Sequence, residues 1–269
     1  PETESSLELI MGNTMEAMGY SRQVKASARN SISYRLDALN PDCNLELLVN
    51  GLKRQPQGLL CLYGPPGTGK TAFGRFVAQA VDKPLLVKRA SDLLGSYVGM
   101  TEKNISGMFN QARQDDMVLL LDEADSFLRD RNGARNSWEV TQVNELLTQM
   151  EDYQGLFISS TNLVESLDAA SIRRFDYKIY FDYLKPDQAW MLFKQVLDDQ
   201  RVPLNDSKHW KSKLLQFRNL TPGDFATVMR QNSLSENLIT PDDLFNGLVS
   251  ETSFKDNAVN HGIGFMANI

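Results

Sequence analysis

Residues 59–71 read Leu59-Leu60-Cys61-Leu62-Tyr63-Gly64-Pro65-Pro66-Gly67-Thr68-Gly69-Lys70-Thr71, and the fold is read outward from them. A short apolar run gives way to G-x-x-x-x-G-K-T, and then to Ala72-Phe73-Gly74-Arg75-Phe76-Val77-Ala78, whose apolar spacing is helical. Strand, glycine-rich loop and helix, in that order, are the context a phosphate-binding loop requires. Glycines let successive backbone N–H groups converge on β- and γ-phosphates, where the helix N-terminus adds a favourable dipole. Lys70 supplies a point charge to the phosphates and Thr71 a hydroxyl to Mg²⁺. Pro66, Gly67, Thr68, Gly69, Lys70, Thr71 and Ala72 are therefore the residues expected to hold a nucleotide.

Around this stretch the composition is that of a soluble globular protein: 269 residues, 42% hydrophobic and 23% charged, enough chain for one large domain or two modest ones. The net charge of −6 argues against a general nucleic-acid surface and makes proteins or peptides the expected macromolecular partners. Cys43 and Cys61 cannot build a disulfide scaffold, and Cys61, in the strand before the loop, reads as a small buried residue. His209 and His261 lie near no other candidate catalytic group, which counts against histidine-based chemistry. There is no apolar run of about 18 residues and no signal-peptide pattern. A cytoplasmic location is expected, with no membrane in this segment, and the start at Pro1 reads as a cut from a longer protein.

Residues 1–33 read as a tail or linker from something upstream. Asn40-Pro41-Asp42 reads as a turn and helix start, followed by Leu45, Leu47, Leu48 and Leu52 on a helix. Strands are expected at Leu59–Tyr63, Pro84–Lys88, Met117–Leu121, Leu156–Ser160 and Tyr177–Phe181, with helices at about 70–81, 102–114 and 137–150. Short apolar runs joined by helical crossovers predict a five-stranded parallel sheet buried on both faces. Beyond Tyr183 the pattern is helical only, at 186–198, 208–218 and 223–233. The expected organisation is an α/β nucleotide-binding domain over 34–183, then a small all-helical lid and C-terminal tail over 184–269.

Val118-Leu119-Leu120-Leu121-Asp122-Glu123-Ala124-Asp125 is an apolar strand ending in carboxylates. At the C-terminal end of a buried strand, Asp122 is placed to reach the Mg²⁺ sphere and Glu123 to polarise a water for in-line attack on the γ-phosphate. An acidic helix N-terminus would look similar in isolation, but its spacing from the phosphate loop favours the catalytic reading.

With these two motifs in place the chain resembles the AAA+ ATPases, and within them the AAA branch that includes the proteasomal ATPases, katanin and spastin. The resemblance covers about residues 35–235. Gly64–Thr71 is similar to Walker A and Leu119–Glu123 to Walker B. Phe157-Ile158-Ser159-Ser160-Thr161-Asn162 resembles the sensor-1 strand, which implies that the Asn162 amide orients the attacking water. Leu167-Asp168-Ala169-Ala170-Ser171-Ile172-Arg173-Arg174-Phe175-Asp176 resembles the second region of homology, which implies that Arg173 and Arg174 are arginine fingers entering a neighbouring subunit's site. A permanently charged, planar guanidinium suits charge spread over γ-phosphoryl oxygens. Action in trans implies a homo-oligomer, a hexameric ring.

Leu93-Leu94-Gly95-Ser96-Tyr97-Val98-Gly99-Met100-Thr101-Glu102 resembles the first pore loop, which implies that Tyr97, with Val98 beside it, grips an extended polypeptide in a central channel. The competing reading is a core tyrosine near a helix start, with Thr101 as N-cap. The charged loop Arg129–Arg135 sits where a second pore loop would be, and reads equally as an exposed loop. Thr221-Pro222-Gly223-Asp224-Phe225 lies where the family places a pair of small residues in its lid, which implies nucleotide contacts from Gly223 and Asp224; Arg230 lies too far along the following helix to replace them. The expected cofactors are ATP and Mg²⁺, and the expected function is ATP-driven remodelling or unfolding of a protein. A clamp-loader or helicase-like ATPase on nucleic acid and a nucleotide switch with little turnover are the other classes. Tyr97 and the acidic balance favour the first over the second, and Glu123, Asn162 and the arginines count against the third.

Overall fold

The computed structural model describes residues 35–128, 137–162, 168–234 and 239–260. The expected tail over 1–33 and the charged loop Arg129–Arg135 lie outside the described residues. A 3₁₀ turn, Leu36–Ala38, leads to β1 (Asn40–Pro41) and α1 (Leu45–Arg54). The alternation then runs β2 (Gly58–Tyr63), α2 (Lys70–Ala80), β3 (Leu85–Arg89), α3 (Ala90–Leu93), α4 (Met100–Gln114), β4 (Val118–Asp122), α5 (Asp125–Leu128), α6 (Ser137–Glu151), β5 (Leu156–Thr161), α7 (Ala169–Ile172) and β6 (Tyr177–Asp182). Four helices follow: α8 (Pro186–Asp199), α9 (Ser207–Leu214), α10 (Pro222–Ser233) and α11 (Pro241–Asn260).

The strands form one sheet in the order β1-β6-β2-β5-β4-β3. β2 with β5, β5 with β4, and β4 with β3 are parallel, and Val118–Leu121 are fully buried, as crossover helices on a parallel sheet require. The sheet has six strands and is mixed, not five and parallel, because Asn40–Pro41 pairs antiparallel with Phe181–Asp182 at its edge. Proline cannot donate to a ladder and is confined to such edges, so a two-residue strand containing one has no apolar signature. Side chains complete the pairing: Asp42 Oδ1 accepts the Tyr180 N–H at 3.0 Å, and Asn40 Nδ2 donates to the Tyr183 carbonyl at 2.6 Å.

Two helices depart from expectation. α4 starts at Met100 with Gly99 as its N-cap, in a left-handed conformation, so Thr101 is not the cap. Its buried hydroxyl instead accepts the Gly95 N–H at 3.0 Å, from the preceding loop. α11, over residues assigned above to lid and tail without a helix of their own, buries Leu244 and Leu248 completely.

Two compact units are present. Among the described residues the first holds Leu47–Tyr63 and Phe73–Ile179, and the second holds 35–46, Gly64–Ala72 and 180–260. The first has an aromatic centre: Phe109 lies 5.3 Å from both Tyr153 and Phe157, and Phe157 stacks on Phe175 at 6.2 Å. The second packs Phe193, Trp210 and Phe245 in sequence, at 5.7 and 5.8 Å.

Candidate functional site

The loop between β2 and α2 is closed on itself. Lys70 is only 6% exposed, and its ammonium donates to the carbonyls of Gly64 at 2.8 Å and Pro65 at 2.7 Å. Thr68 Oγ1 donates to the Pro65 carbonyl at 2.8 Å. Gly67 and Gly69 adopt φ of 80° and 98°. Left-handed residues interleaved in a tight turn aim consecutive N–H groups into a common concavity, the geometry of an anion nest. Thr71 follows in the first turn of α2.

The rim of this loop is shared with α10. The Gly223 N–H donates to the Gly67 carbonyl at 2.9 Å, and a Cβ on Gly223 would stand 2.9 Å from Gly67 Cα. Gly223 is therefore beside the phosphate loop. The Asp224 carboxylate is buried and turned elsewhere: it accepts from the Thr221 N–H at 2.8 Å, Thr221 Oγ1 at 3.0 Å and Lys255 Nζ at 2.6 Å. Asp224 fastens the start of α10, and an i to i+3 Thr/Asp box is the signal for it. Arg230 is exposed and donates to Thr227 Oγ1 at 3.0 Å.

In the first unit, three strand ends stand level. Tyr63 is opposite Thr161 across β2 and β5, and Leu121 is opposite Ser159 across β4 and β5. Asp122 and Asn162 therefore stand at the end of the sheet at which β2 finishes with Tyr63. Asp122 Oδ1 accepts from Ser160 Oγ and, at 3.2 Å, from the Glu123 N–H. Glu123 is exposed and has φ 55°, a left-handed conformation that a glutamate occupies at a cost of about 1–3 kcal/mol. Asp125 ties β5 to the start of α5, its Oδ1 accepting from Thr161 Oγ1 and, at 3.1 Å, from the Asn162 N–H. Ser160 and Asp125 were not singled out from the sequence. Their one available signal is a polar pair at the end of an otherwise apolar strand, set against acids after another.

The arginines diverge. Arg173 is exposed, with no hydrogen bond or ion pair to the described residues. Arg174 donates from Nε to Glu151 at 2.6 Å and from a terminal nitrogen to the Ala170 carbonyl at 2.9 Å. Asp168, buried, caps α7 by accepting from the Ser171 N–H at 2.8 Å and Oγ at 2.7 Å. Tyr97 and Val98 are 79% and 90% exposed, in a loop where Leu94 is also exposed and before a helix whose first residue, Met100, is exposed too, so the core reading of Tyr97 is excluded for this chain. Among cysteines, burial pushes the Cys61 thiol up to about 12, whereas Cys43 is exposed.

Two of the oxygen donors expected from the sequence are of the chemical kind that suits a magnesium ion. Mg²⁺ takes hard oxygen ligands, few of them from protein, and completes its shell with phosphate and water. Thr71 offers a hydroxyl and Asp122 a carboxylate. Among the described residues no group of three or more His, Cys, Asp or Glu forms a separate metal cluster, and no helix is long and apolar enough to cross a membrane.

Fold and loop together define a P-loop nucleotide-binding protein. Residues 60–183 match the ATPase family associated with various cellular activities (AAA). Fidgetin-like protein 1 of Caenorhabditis briggsae is 32% identical over 191 residues, 68% of this chain and 31% of that protein. An uncharacterised AAA family ATPase of Sinorhizobium fredii is 39% identical over 162 residues, 59% of this chain and 48% of its own length. Spastin of Xenopus tropicalis is 31% identical over 183 residues, 65% of this chain and 29% of its own length. The chain carries an AAA+ ATPase module, and it spans less than half the length of each of these relatives.

Proposed function

We propose that this chain binds and hydrolyses ATP as one subunit of a ring, a hexamer, that remodels or unfolds a polypeptide. The observation that supports this is the level alignment of the ends of β2, β5 and β4, where β2 finishes with Tyr63 and β4 with Asp122, and Asn162 follows β5. In this reading Pro66 to Ala72 surround the phosphates, with Lys70 as their charge partner. Thr71 and Asp122 hold Mg²⁺, whose chemistry is to neutralise the developing phosphate charge. Glu123 accepts the proton of the attacking water and Asn162 orients that water. Gly223 seats α10 against the loop, and Asp224 acts by holding the start of that helix.

The finer architecture belongs to the same proposal: an α/β domain over 34–183 built on five strands besides the edge strand β1, and a helical lid beginning near residue 184. Tyr97 and Val98, exposed and apolar, are the proposed contacts with substrate, which makes a polypeptide rather than nucleic acid the partner. The cytoplasm, where an exposed thiol such as Cys43 stays reduced, is the compartment that fits.

Lys70→Ala and Glu123→Gln test the assignment together. The first removes phosphate charge and is expected to abolish ATP binding. The second removes only water activation and is expected to keep binding while turnover falls by about 10²–10⁴-fold. A Glu123→Gln protein that hydrolyses ATP at the wild-type rate overturns the assignment of the base.

A further inference from the structure

Arg173 and Arg174 are chemically identical neighbours, but their surroundings in the first unit are not. Arg174 spends two edges of its guanidinium within its own subunit, on the Glu151 carboxylate and the Ala170 carbonyl. It lies in a polar cleft of about 480 Å³ whose lining includes Gln57, Tyr153 and Asp176, and its side chain is only 33% exposed. Arg173 is exposed and makes no such bond among the described residues. The other contacts of this turn among the described residues stay within the subunit: Asp168 closes the start of α7, Arg174 bonds the Ala170 carbonyl, and Phe175 is buried against Phe157.

Glu151 is the last residue of α6. A carboxylate there opposes the helix dipole, so helix stability gives no reason for it. The pair is too exposed to contribute much to folding either, with the Glu151 side chain 56% exposed. What it does fix is direction, because a two-bonded guanidinium has a set plane and position.

We propose that Glu151 is a positioning residue for the arginine pair. By holding Arg174 in its own subunit it leaves Arg173 as the single arginine directed at the neighbouring subunit's nucleotide. This rests on the reading of the chain as a ring-forming ATPase.

Four variants of the full chain, assayed for ATPase at saturating protein, for ATP affinity and for melting temperature, test it. Arg173→Ala should lower turnover by about 10³-fold or more with ATP affinity kept. Glu151→Gln and Arg174→Ala should each lower kcat by about 10–10²-fold, the cost of a misplaced group, without lowering melting. The exchanged pair Glu151→Arg with Arg174→Glu should recover turnover to within about threefold of wild type, since it rebuilds the ion pair with Arg173 intact. An exchanged pair that folds and binds ATP but is as inactive as Arg173→Ala overturns the proposal, because Arg174 itself would then contact phosphate. Should that pair not fold, Glu151→Gln decides alone, and an unchanged kcat overturns the proposal. Failure of the parent reading looks different: Arg173→Ala would then turn over at the wild-type rate per subunit at every protein concentration.

Discussion

The Gly67 carbonyl accepts a hydrogen bond from the Gly223 N–H at 2.9 Å, which joins the phosphate loop to the first turn of a helix more than a hundred residues later in the chain. The contact is backbone to backbone. A side chain at position 223 would begin 2.9 Å from Gly67 Cα, closer than carbon atoms approach without displacement. Movement of either glycine would disturb the same concavity that Lys70 and Thr68 organise.

Gly223→Val is therefore expected to weaken ATP binding by about tenfold or more, about 1.4 kcal/mol, while melting in the absence of nucleotide changes less. Titration calorimetry with ATP checks it. Wild-type affinity in a folded Gly223→Val protein would show that this approach is irrelevant to the nucleotide.

Glu123 presents the opposite case, a side chain kept where glycine would be more comfortable. At φ 55°, Glu123→Gly should relieve strain, so it should melt above Glu123→Ala even though glycine is the more flexible residue when unfolded. Both should lose about 10²–10⁴-fold in ATP turnover. A glycine variant that melts below the alanine variant would show that the conformation carries no strain.

Tyr97 should be replaceable without structural cost. The residue is 79% exposed, so Tyr97→Ala is expected to change stability by no more than about 0.5 kcal/mol and to leave basal ATPase intact. Phe157→Ala, at a fully buried ring, should cost about 3–5 kcal/mol. Unfolding of a model polypeptide substrate should be lost in Tyr97→Ala and retained in Tyr97→Phe. Loss of basal ATPase in Tyr97→Ala, in step with earlier melting, would count against the substrate role.

The two thiols should separate by reactivity. Alkylation needs an accessible thiolate: burial pushes the Cys61 thiol up to about 12 and shields it, whereas Cys43, itself raised by partial burial and Asp42, is exposed, so only Cys43 should react, slowly, with iodoacetamide at pH 8 in the native protein. Mass spectrometry should find one adduct per chain before denaturation and two after it. Two adducts in the native state would show that β2 opens readily.

By itself the sequence determined whatever depends on neighbours in the chain. Apolar runs of five or six residues marked β2 to β6 to within a residue or two, the glycine and lysine spacing marked the phosphate loop, and Asp122 and Glu123 stood out because carboxylates end an apolar strand. These are local signals, set by periodicity and short-range stereochemistry. Tertiary structure alone decided the rest. β1 exists only because β6 passes beside Asn40 and Pro41, some 140 residues away. Asp224 read as a nucleotide contact, but Thr221 and Lys255 occupy its carboxylate. Arg173 and Arg174 are equal in the sequence and unequal in space, because only one of them meets Glu151, and the identity of a long-range partner leaves no trace in local pattern.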